Sequence, residues 1–392
     1  MQKINIIQFL PYFSPHKGGV ENVAEEFSSF YVLKGFGEVI NVVFDIGQKE
    51  KISSLLSSDI IYGSDKKTPI GYKQKGYTVY LLPAFDLIHN FPFPKFWEKK
   101  FWEILRLTEL KTGIIQTHTR FFLSSFLGGL FAKHYKLNWV HIEHGSDYVK
   151  LGSKFKSKIA YIYDKIIGKW IFKKANKLVA ISEGVNNFIK CEFIGLKNIN
   201  IIYNGIDFIS GDRLDNGENI NIGFAGRIVN LKGINLLIDV VKDLSENHKN
   251  IKLFIVGDGD DKVNLEKYIK DNNIKNIKFL GPKNREYIAK DFLPKIDILV
   301  NPSYQEGLPT TVLEGLISGC VVVATDVGGT KEISNKDDLI IIEKGKKSEL
   351  KKGLEKAILN YKVLGGKSSA YVKEKFNWDI VIDNYFNLYK SL

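Results

Sequence analysis

Two carboxylates, Glu306 and Glu314, stand in the run Asn301-Pro-Ser-Tyr-Gln-Glu306-Gly307-Leu308-Pro309-Thr-Thr311-Val-Leu-Glu314-Gly315. A strand ending near Asn301 and a helix opening at Pro309 put Glu306 in the loop and Glu314 about one and a half turns inside the helix. Both then border the place where a helix N-terminus aims its free N–H groups. A carboxylate so placed can accept two hydroxyl hydrogen bonds, as the 2′ and 3′ groups of a ribose require. Upstream, the run Gly223-Phe-Ala-Gly226-Arg227-Ile-Val-Asn-Leu-Lys232-Gly233 brings an arginine after a buried strand and a lysine to the next helix start. Two cations near a helix N-terminus suit a multiply charged phosphate.

The first half carries its own set. In Pro15-His16-Lys17-Gly18-Gly19-Val20-Glu21, paired glycines before a helix let backbone approach a ligand, and the helix start offers N–H groups to an anion. The same segment is equally readable as a plain turn. Glu143-His144-Gly145-Ser146 places a histidine at a strand end, where it can donate, accept or carry a proton. His118, in Thr117-His118-Thr119, is a similar strand-end histidine and also reads as a turn-capping residue. His141 and His144 are not a zinc pair, because a strand points them to opposite faces and the spacing is not H-E-x-x-H. Gly257-Asp258-Gly259 and Gly328-Gly329 are further glycine loops after apolar runs.

Elements able to position these residues alternate along the chain. Buried strands are expected at Ile4–Leu10, Val39–Asp45, Tyr77–Leu82, Gly113–Thr117, Asn138–Glu143, Lys177–Ile181 and Asn200–Tyr203. In the second half they are expected at Asn221–Ala225, Lys252–Val256, Ile277–Leu280, Ile296–Val300, Cys320–Ala324 and Leu339–Ile342. Most are continuous apolar runs, the mark of strands buried on both faces of a parallel sheet. Helical stretches such as Val20–Leu33, Phe121–Lys136, Gly233–Leu244 and Thr310–Ile317 separate them. The pattern predicts an α/β protein of two doubly wound sheets, whose ligands bind outside the carboxyl ends of the strands. Asn204-Gly205-Ile206-Asp207 and the polar stretch Ser210–Asn219 read as the hinge between them.

Composition narrows the classes further. The 392 residues exceed one ordinary core. Two distant cysteines, Cys191 and Cys320, exclude a disulfide framework and fit a reducing cytosol. No apolar run approaches the ~18 residues of a membrane span, and the start reads as a first strand, not a secretion signal. The net charge of +12 is concentrated, with nine lysines against one acid, Asp164, between Lys150 and Lys177. Phe155, Ile159, Ile162, Ile166 and Trp170 recur there at helical spacing, and Phe93–Lys111 adds aromatics and lysines. A basic amphipathic helix suits an anionic membrane surface, although the same stripe would also pack on its own domain. No recognition motif accompanies the charge, which argues against nucleic acid.

The ordered set of motifs resembles the retaining GT-B glycosyltransferases of family 4, the group 1 glycosyl transferases. It rests on Gly18-Gly19-Val20-Glu21, Glu143-His144-Gly145, Ala180-Ile181-Ser182, Asn204-Gly205-Ile206-Asp207, Gly226-Arg227 with Lys232, Gly257-Asp258-Gly259, Glu306-Gly307-Leu308-Pro309 with Glu314, and Gly328-Gly329 with Glu332. The resemblance implies two Rossmann-like domains facing a cleft: residues 1–205 for the acceptor, 206–372 for the nucleotide sugar, and a last helix, 373–392, crossing back. It implies that Arg227 and Lys232 grip a diphosphate, that Glu314 holds the ribose, and that Glu306, Gly307 and Leu308 hold the sugar. Thr311 belongs to the same donor-binding set. The base would lie near Gly257–Gly259 and Gly281–Asn284, while Gly18, Gly19 and His144 serve from the first domain. Cys320 stands where relatives often carry proline, a departure expected to touch packing only.

The chemistry expected is hexosyl transfer, with no cofactor and no metal, from a UDP sugar, or a GDP sugar, to a saccharide or lipid-linked acceptor in bacterial cell-surface polysaccharide or glycolipid synthesis. Departure of a nucleoside diphosphate leaves a dianion and an oxocarbenium-like sugar, so preorganised cations and N–H groups are what the site needs. With no nucleophile and acid pair in evidence, same-face attack is expected, the leaving phosphate taking the acceptor's proton. Rival readings are a nucleotide-sugar epimerase of the same fold and a catalytically silent partner protein. The expected setting is cytoplasmic, at the inner face of the plasma membrane.

Overall fold

The computed structural model describes residues 3–14, 18–46, 52–88, 91–109, 113–149, 153–196, 198–207 and 211–392. Pro15–Lys17 of the first glycine loop, Leu110–Lys111, Lys150 and Ser210 lie outside them. Contacts divide the chain into two compact units: Met1–Ile181, Val185–Tyr203 and Trp378–Leu392 form one, and Ser182–Gly184 with Asn204–Asn377 form the other.

The first unit runs β1 (Ile6–Leu10), α1 (Gly19–Leu33), β2 (Val39–Asp45), β3 (Ile60–Tyr62), β4 (Pro69–Gln74), β5 (Tyr77–Ile88), β6 (Phe91–Pro94), α2 (Lys99–Glu109), β7 (Ile114–His118), α3 (Leu123–His134), β8 (Trp139–Glu143), α4 (Lys154–Tyr163), α5 (Lys169–Lys174), β9 (Lys177–Ala180), α6 (Glu183–Glu192) and β10 (Ile199–Ile201). The sheet order is β10-β9-β8-β7-β1-β2-β5-β4-β3, with β6 on β5. From β10 to β5 every pairing is parallel, as the buried apolar runs require. The sequence pattern does not announce β3, β4 and β6, which add antiparallel pairings beside β5. Their prolines fall where a strand tolerates them, at the first residue of β4 and in β6, which pairs with β5 alone among the described residues.

Six strands and their helices make the second unit: β11 (Ile220–Ala225), α7 (Ile234–Leu244), β12 (Ile251–Val256), α8 (Lys262–Asp271), β13 (Ile277–Gly281), β14 (Ile298–Asn301), α9 (Thr310–Ile317), β15 (Val321–Thr325), β16 (Leu339–Ile342), α10 (Lys347–Leu364) and α11 (Ser369–Lys375). The order is β13-β12-β11-β14-β15-β16, all parallel. Its core joins α7 (Leu237, Ile238, Val241) and α10 (Leu350, Leu354) to the strands, each such side chain stabilising by about 1.5–3 kcal/mol. Arg213, from the polar stretch read as a hinge, bonds Asp297 and the Ile296 carbonyl, so that stretch is held to this unit. Cys320 is fully buried and donates to the Ile296 carbonyl at 3.1 Å. Burial pushes its thiol up to about 11, which leaves it a packing group. The last helix, α12 (Trp378–Lys390), belongs to the first unit.

The order of the parallel strands in each sheet switches direction between β11 and β14 and between β1 and β7. Loops leaving the carboxyl ends of those strands are where an open α/β sheet binds ligands. The sequence-selected residues leave from them: Arg227 follows β11, Glu306 follows β14, the Gly18-Gly19 pair follows β1, and His144 follows β8 beside β7.

Candidate functional site

In the second unit the loops after three neighbouring strands are laced together by backbone. Gly226 N–H donates to the Val256 carbonyl at 3.0 Å, Ile228 N–H to Asp258 at 2.8 Å, and Gly257 N–H to Gly281 at 3.0 Å. Gly257 has φ +143°, and a Cβ there would lie 1.8 Å from the Gly226 carbonyl, so only glycine lets the two loops close. Arg227 and Gly281 are therefore fixed relative to each other by main chain. Tyr304 N–H donates to the Leu231 carbonyl at 2.8 Å, which ties the Lys232 turn to the loop after β14.

That second tie brings the charged side chains together. Lys232 Nζ lies 2.6 Å from Glu306 Oε1, with the two side chains 22% and 12% exposed. Ser303 Oγ donates to the same oxygen at 2.7 Å, and Asn301 Nδ2 approaches it at 3.4 Å. Glu306 thus holds the lysine in place and balances its charge. Arg227 is exposed and has no partner among the described residues. It is an exposed cation on the connection after β11 that also carries Lys232.

Glu314 sits in α9, where Pro309 is the N-cap residue. Its Oε1 accepts from Arg285 Nε at 3.2 Å. Burial raises its carboxyl above the ordinary range, and Arg285 opposes the rise. Thr311 opens the same helix, its Oγ1 3.5 Å from Asn301 Nδ2. Gly307 and the buried Leu308 lie between the two glutamates, and the Gly307 carbonyl accepts from Gly329 N–H at 2.8 Å and Ser182 Oγ at 3.0 Å. Gly328 has φ +54°, and a Cβ there would meet the Glu306 carbonyl at 2.1 Å, so glycine seats this loop. Glu332 accepts from the N–H groups of Glu183 and Gly184, which belong to this same unit, at 2.7 and 2.8 Å.

The first unit gathers a different chemistry. Gly18 caps α1 and Gly19 opens it. Glu21, one turn on, is buried and lies close enough to His144 to pull its pKa up. His144 Nε2 is 3.1 Å from His118 Nδ1, and His118 Nε2 is 2.8 Å from Gln8 Oε1. Burial dominates both rings: His144 falls to about 4 and His118 falls well below the ordinary histidine range. Behind them Glu143 anchors the loop, accepting from Gly145 N–H at 2.7 Å, Arg120 N–H at 3.0 Å and Arg120 Nη1 at 3.1 Å. Glu143 falls to about 2, because the buried Arg120 guanidinium and the His141 hydrogen bond outweigh its own burial. Arg120 also pairs with buried Asp164 at 3.1 Å. His141 turns to Thr117 Oγ1 (2.8 Å) and Glu143, away from His144.

Known proteins settle the family. Residues 206–375 match the model for glycosyl transferases group 1, and residues 18–208 match that for glycosyltransferase family 4. An uncharacterized glycosyltransferase of Methanocaldococcus jannaschii is 32% identical over 100% of both chains. The chain belongs to the group 1 glycosyltransferases. One component of the human phosphatidylinositol N-acetylglucosaminyltransferase is 24% identical over 91% of this chain and 69% of its own. The solved structure of Anabaena HepE in complex with UDP superposes with a TM-score of 0.72 at 15% identity, covering 100% of both chains. The glycosyltransferase therefore has the GT-B architecture of paired Rossmann-like domains.

Sequence reasoning missed Arg285 and Arg120 in this glycosyltransferase and ranked His118 below His144. Arg285, the partner of Glu314, sits in the polar run Lys283-Asn284-Arg285-Glu286 with no motif to mark it. Arg120 follows Thr119 without a glycine or charge pattern, and only its burial between Glu143 and Asp164 reveals it. His118 takes the lesser place of the two histidines in the sequence, yet it is the ring that holds His144. The basic helix departs from expectation in one residue. Phe155, Ile159, Ile162 and Ile166 are 74%, 53%, 48% and 63% exposed, whereas Trp170 packs on Phe126 and Trp139. A π-helical turn at Asp164–Gly168 inserts between them and rotates Trp170 off the stripe.

Proposed function

We propose that this glycosyltransferase is a retaining, metal-independent hexosyltransferase that takes its sugar from a UDP sugar, a GDP sugar being the alternative. The acceptor is a saccharide or a lipid-linked saccharide of bacterial cell-surface polysaccharide or glycolipid synthesis. The observation that carries the reading is the Lys232–Glu306 pair, which ties the connection after β11, where Arg227 also lies, to the connection after β14, which leads into the helix of Glu314. Arg227 and Lys232 take the diphosphate, Glu314 the ribose hydroxyls, and Glu306 with the Gly307–Leu308 backbone the sugar. Thr311 and the laced Gly257 and Gly281 loops complete the donor contacts. From the first unit, His144 and the Gly18-Gly19 turn act on the sugar. The HepE structure holds UDP, which supports the base, and the human relative's name points to a lipid acceptor.

In the transfer the acceptor hydroxyl oxygen bonds to the anomeric carbon on the face the diphosphate leaves. The bond from that carbon to the phosphate oxygen breaks, and the hydroxyl proton passes to the departing phosphate oxygen. Arg227 and Lys232 stabilise the dianion as it forms, the role a divalent ion plays elsewhere. The exposed apolar stripe of α4 among its lysines seats the protein on the anionic inner face of the plasma membrane, where lipid-linked acceptors lie; among the described residues no helix is long and apolar enough to span one. Acceptor-dependent release of UDP tests the reading. Release that needs no acceptor, or sugar isomerisation with none released, would favour the epimerase or silent-partner alternatives.

A further inference from the structure

A chain of buried polar side chains threads the first unit, and the chemistry it shares with His144 goes beyond donor binding. We propose that His118 is a positioning residue that fixes the tautomer of His144, so that His144 offers a bare Nδ1 to a sugar hydroxyl and never an N–H. The proposal rests on the functional reading in which His144 acts on the sugar.

Direction in this chain is set at its far end, by the Ala24 carbonyl, which can only accept. Ser28 Oγ donates its single proton to that carbonyl at 2.8 Å, the shorter of its two acceptor contacts, Asn41 Oδ1 lying at 3.2 Å. The same oxygen must then accept from Gln8 Nε2, 2.8 Å away, and Gln8 Nε2 also donates to Asn41 Oδ1 at 2.8 Å. Gln8 is completely buried, so its amide nitrogen faces α1 and β2 and its oxygen faces β7. Gln8 Oε1 can only accept. It receives Gln116 Nε2 at 2.8 Å and His118 Nε2 at 2.8 Å, two donors that converge on one oxygen and so lie 3.1 Å from each other. Gln116 is oriented in turn by the Tyr389 hydroxyl, which donates to its Oε1.

His118 therefore carries its proton on Nε2. It is 1% exposed, with only His144 and His141 as charged-form neighbours, and both disfavour a second proton. Its Nδ1 is left as an acceptor, and the nitrogen 3.1 Å from it, His144 Nε2, must supply the proton. His144 faces Glu143 and Glu21, which favour its cation, and His141, which opposes it; burial outweighs the carboxylates. The neutral ring has one proton, already committed to His118. Its Nδ1 has no partner among the described residues. A bare imidazole nitrogen repels phosphate oxygens and accepts from hydroxyls, which assigns His144 to the sugar and away from the diphosphate.

Full-length protein labelled with 15N-histidine gives the direct test. Long-range proton–nitrogen correlation should show His118 and His144 both neutral and Nε2-protonated from pH 5.5 to 8. A proton on Nδ1 of His144, or a His118 that titrates in that range, overturns the proposal. Turnover is then followed as UDP release from whichever of UDP-glucose and UDP-N-acetylglucosamine the enzyme accepts. His118→Phe should lower kcat by about 10–100-fold, the usual weight of a residue that orients a histidine, leave the donor KM unchanged, and move the acid limb of the kcat profile upward. His118→Asn keeps an acceptor for the His144 proton and should recover most of the loss. Unchanged kcat in His118→Phe overturns the positioning role. Full turnover in His144→Ala would instead overturn the functional reading, and the wild-type spectrum would still report the tautomer independently.

Discussion

Arg227 and Lys232 differ in what surrounds them, and that difference predicts unequal roles. Lys232 gives its charge to Glu306 at 2.6 Å, so an incoming diphosphate must share it. Arg227 has no such competitor and offers its full charge. Loss of one well-placed donor to developing charge typically costs about 3–4 kcal/mol, or 10²–10³ in turnover. Arg227→Ala should fall by that factor with an unchanged melting temperature, since the side chain is exposed. Near-wild-type kcat in that variant removes it from the diphosphate. At Glu314 the competition runs the other way: its Oε1 is held by Arg285, which leaves Oε2 to meet a ribose. Glu314→Ala should weaken UDP binding by ~10-fold or more, the weight of one charge-assisted hydrogen bond pair. Titration calorimetry with UDP measures this, and an unaltered Kd would contradict ribose contact.

At the scale of elements, α4 and the π-helical turn after it carry the proposed membrane contact. Phe155, Ile159, Ile162 and Ile166 are exposed along them, and Lys154, Lys156, Lys158 and Lys165 lie among them, the composition that the proposed seating on an anionic surface requires. Each inserted side chain contributes on the order of 1.5–3 kcal/mol. Phe155→Ser with Ile159→Ser should therefore cut flotation with phosphatidylglycerol vesicles by about a hundredfold or more, without changing turnover on a water-soluble acceptor. Wild-type binding should weaken with salt and be absent on phosphatidylcholine alone; equal flotation on both would sink the electrostatic reading. Legibility in the sequence follows the same physics. Strands buried on both faces announce themselves as apolar runs, and loops that leave them carry the glycines and charges that marked Arg227, Glu306 and His144. Edge strands such as Phe91-Pro-Phe-Pro94 obey no such pattern. His118 could not be ranked from sequence, because its partner Gln8 lies 110 positions away. Arg285 likewise gains meaning only from Glu314, 29 positions on.

Two units with separate buried chemistry should respond separately to ligand and to acid. Arg227, Lys232, Glu306 and Glu314 all belong to the second unit, so free UDP should stabilise that unit alone. At a hundred times its Kd, UDP contributes about 2.7 kcal/mol, or roughly 5–10 °C in a domain of this size. Acid acts on the first unit. His144 titrates at about 4 folded against 6.5 in the open chain, so below pH 6.5 the unfolded state takes the proton first and stability is lost as pH falls toward 4. At pH 5 this loss is about 2 kcal/mol from His144, and His118 and His141 are lowered in the same sense. Asp164, raised by burial to about 6, gains a proton in the folded state and offsets part of it; three histidines outweigh one carboxyl. Scanning calorimetry at pH 7.5 should therefore show UDP raising one of two transitions, and a scan at pH 5 should show the other one lowered. If UDP and acid moved the same transition together, the diphosphate site and the histidine chain would belong to one cooperative unit, and the assignment of the diphosphate to the second unit alone would fail.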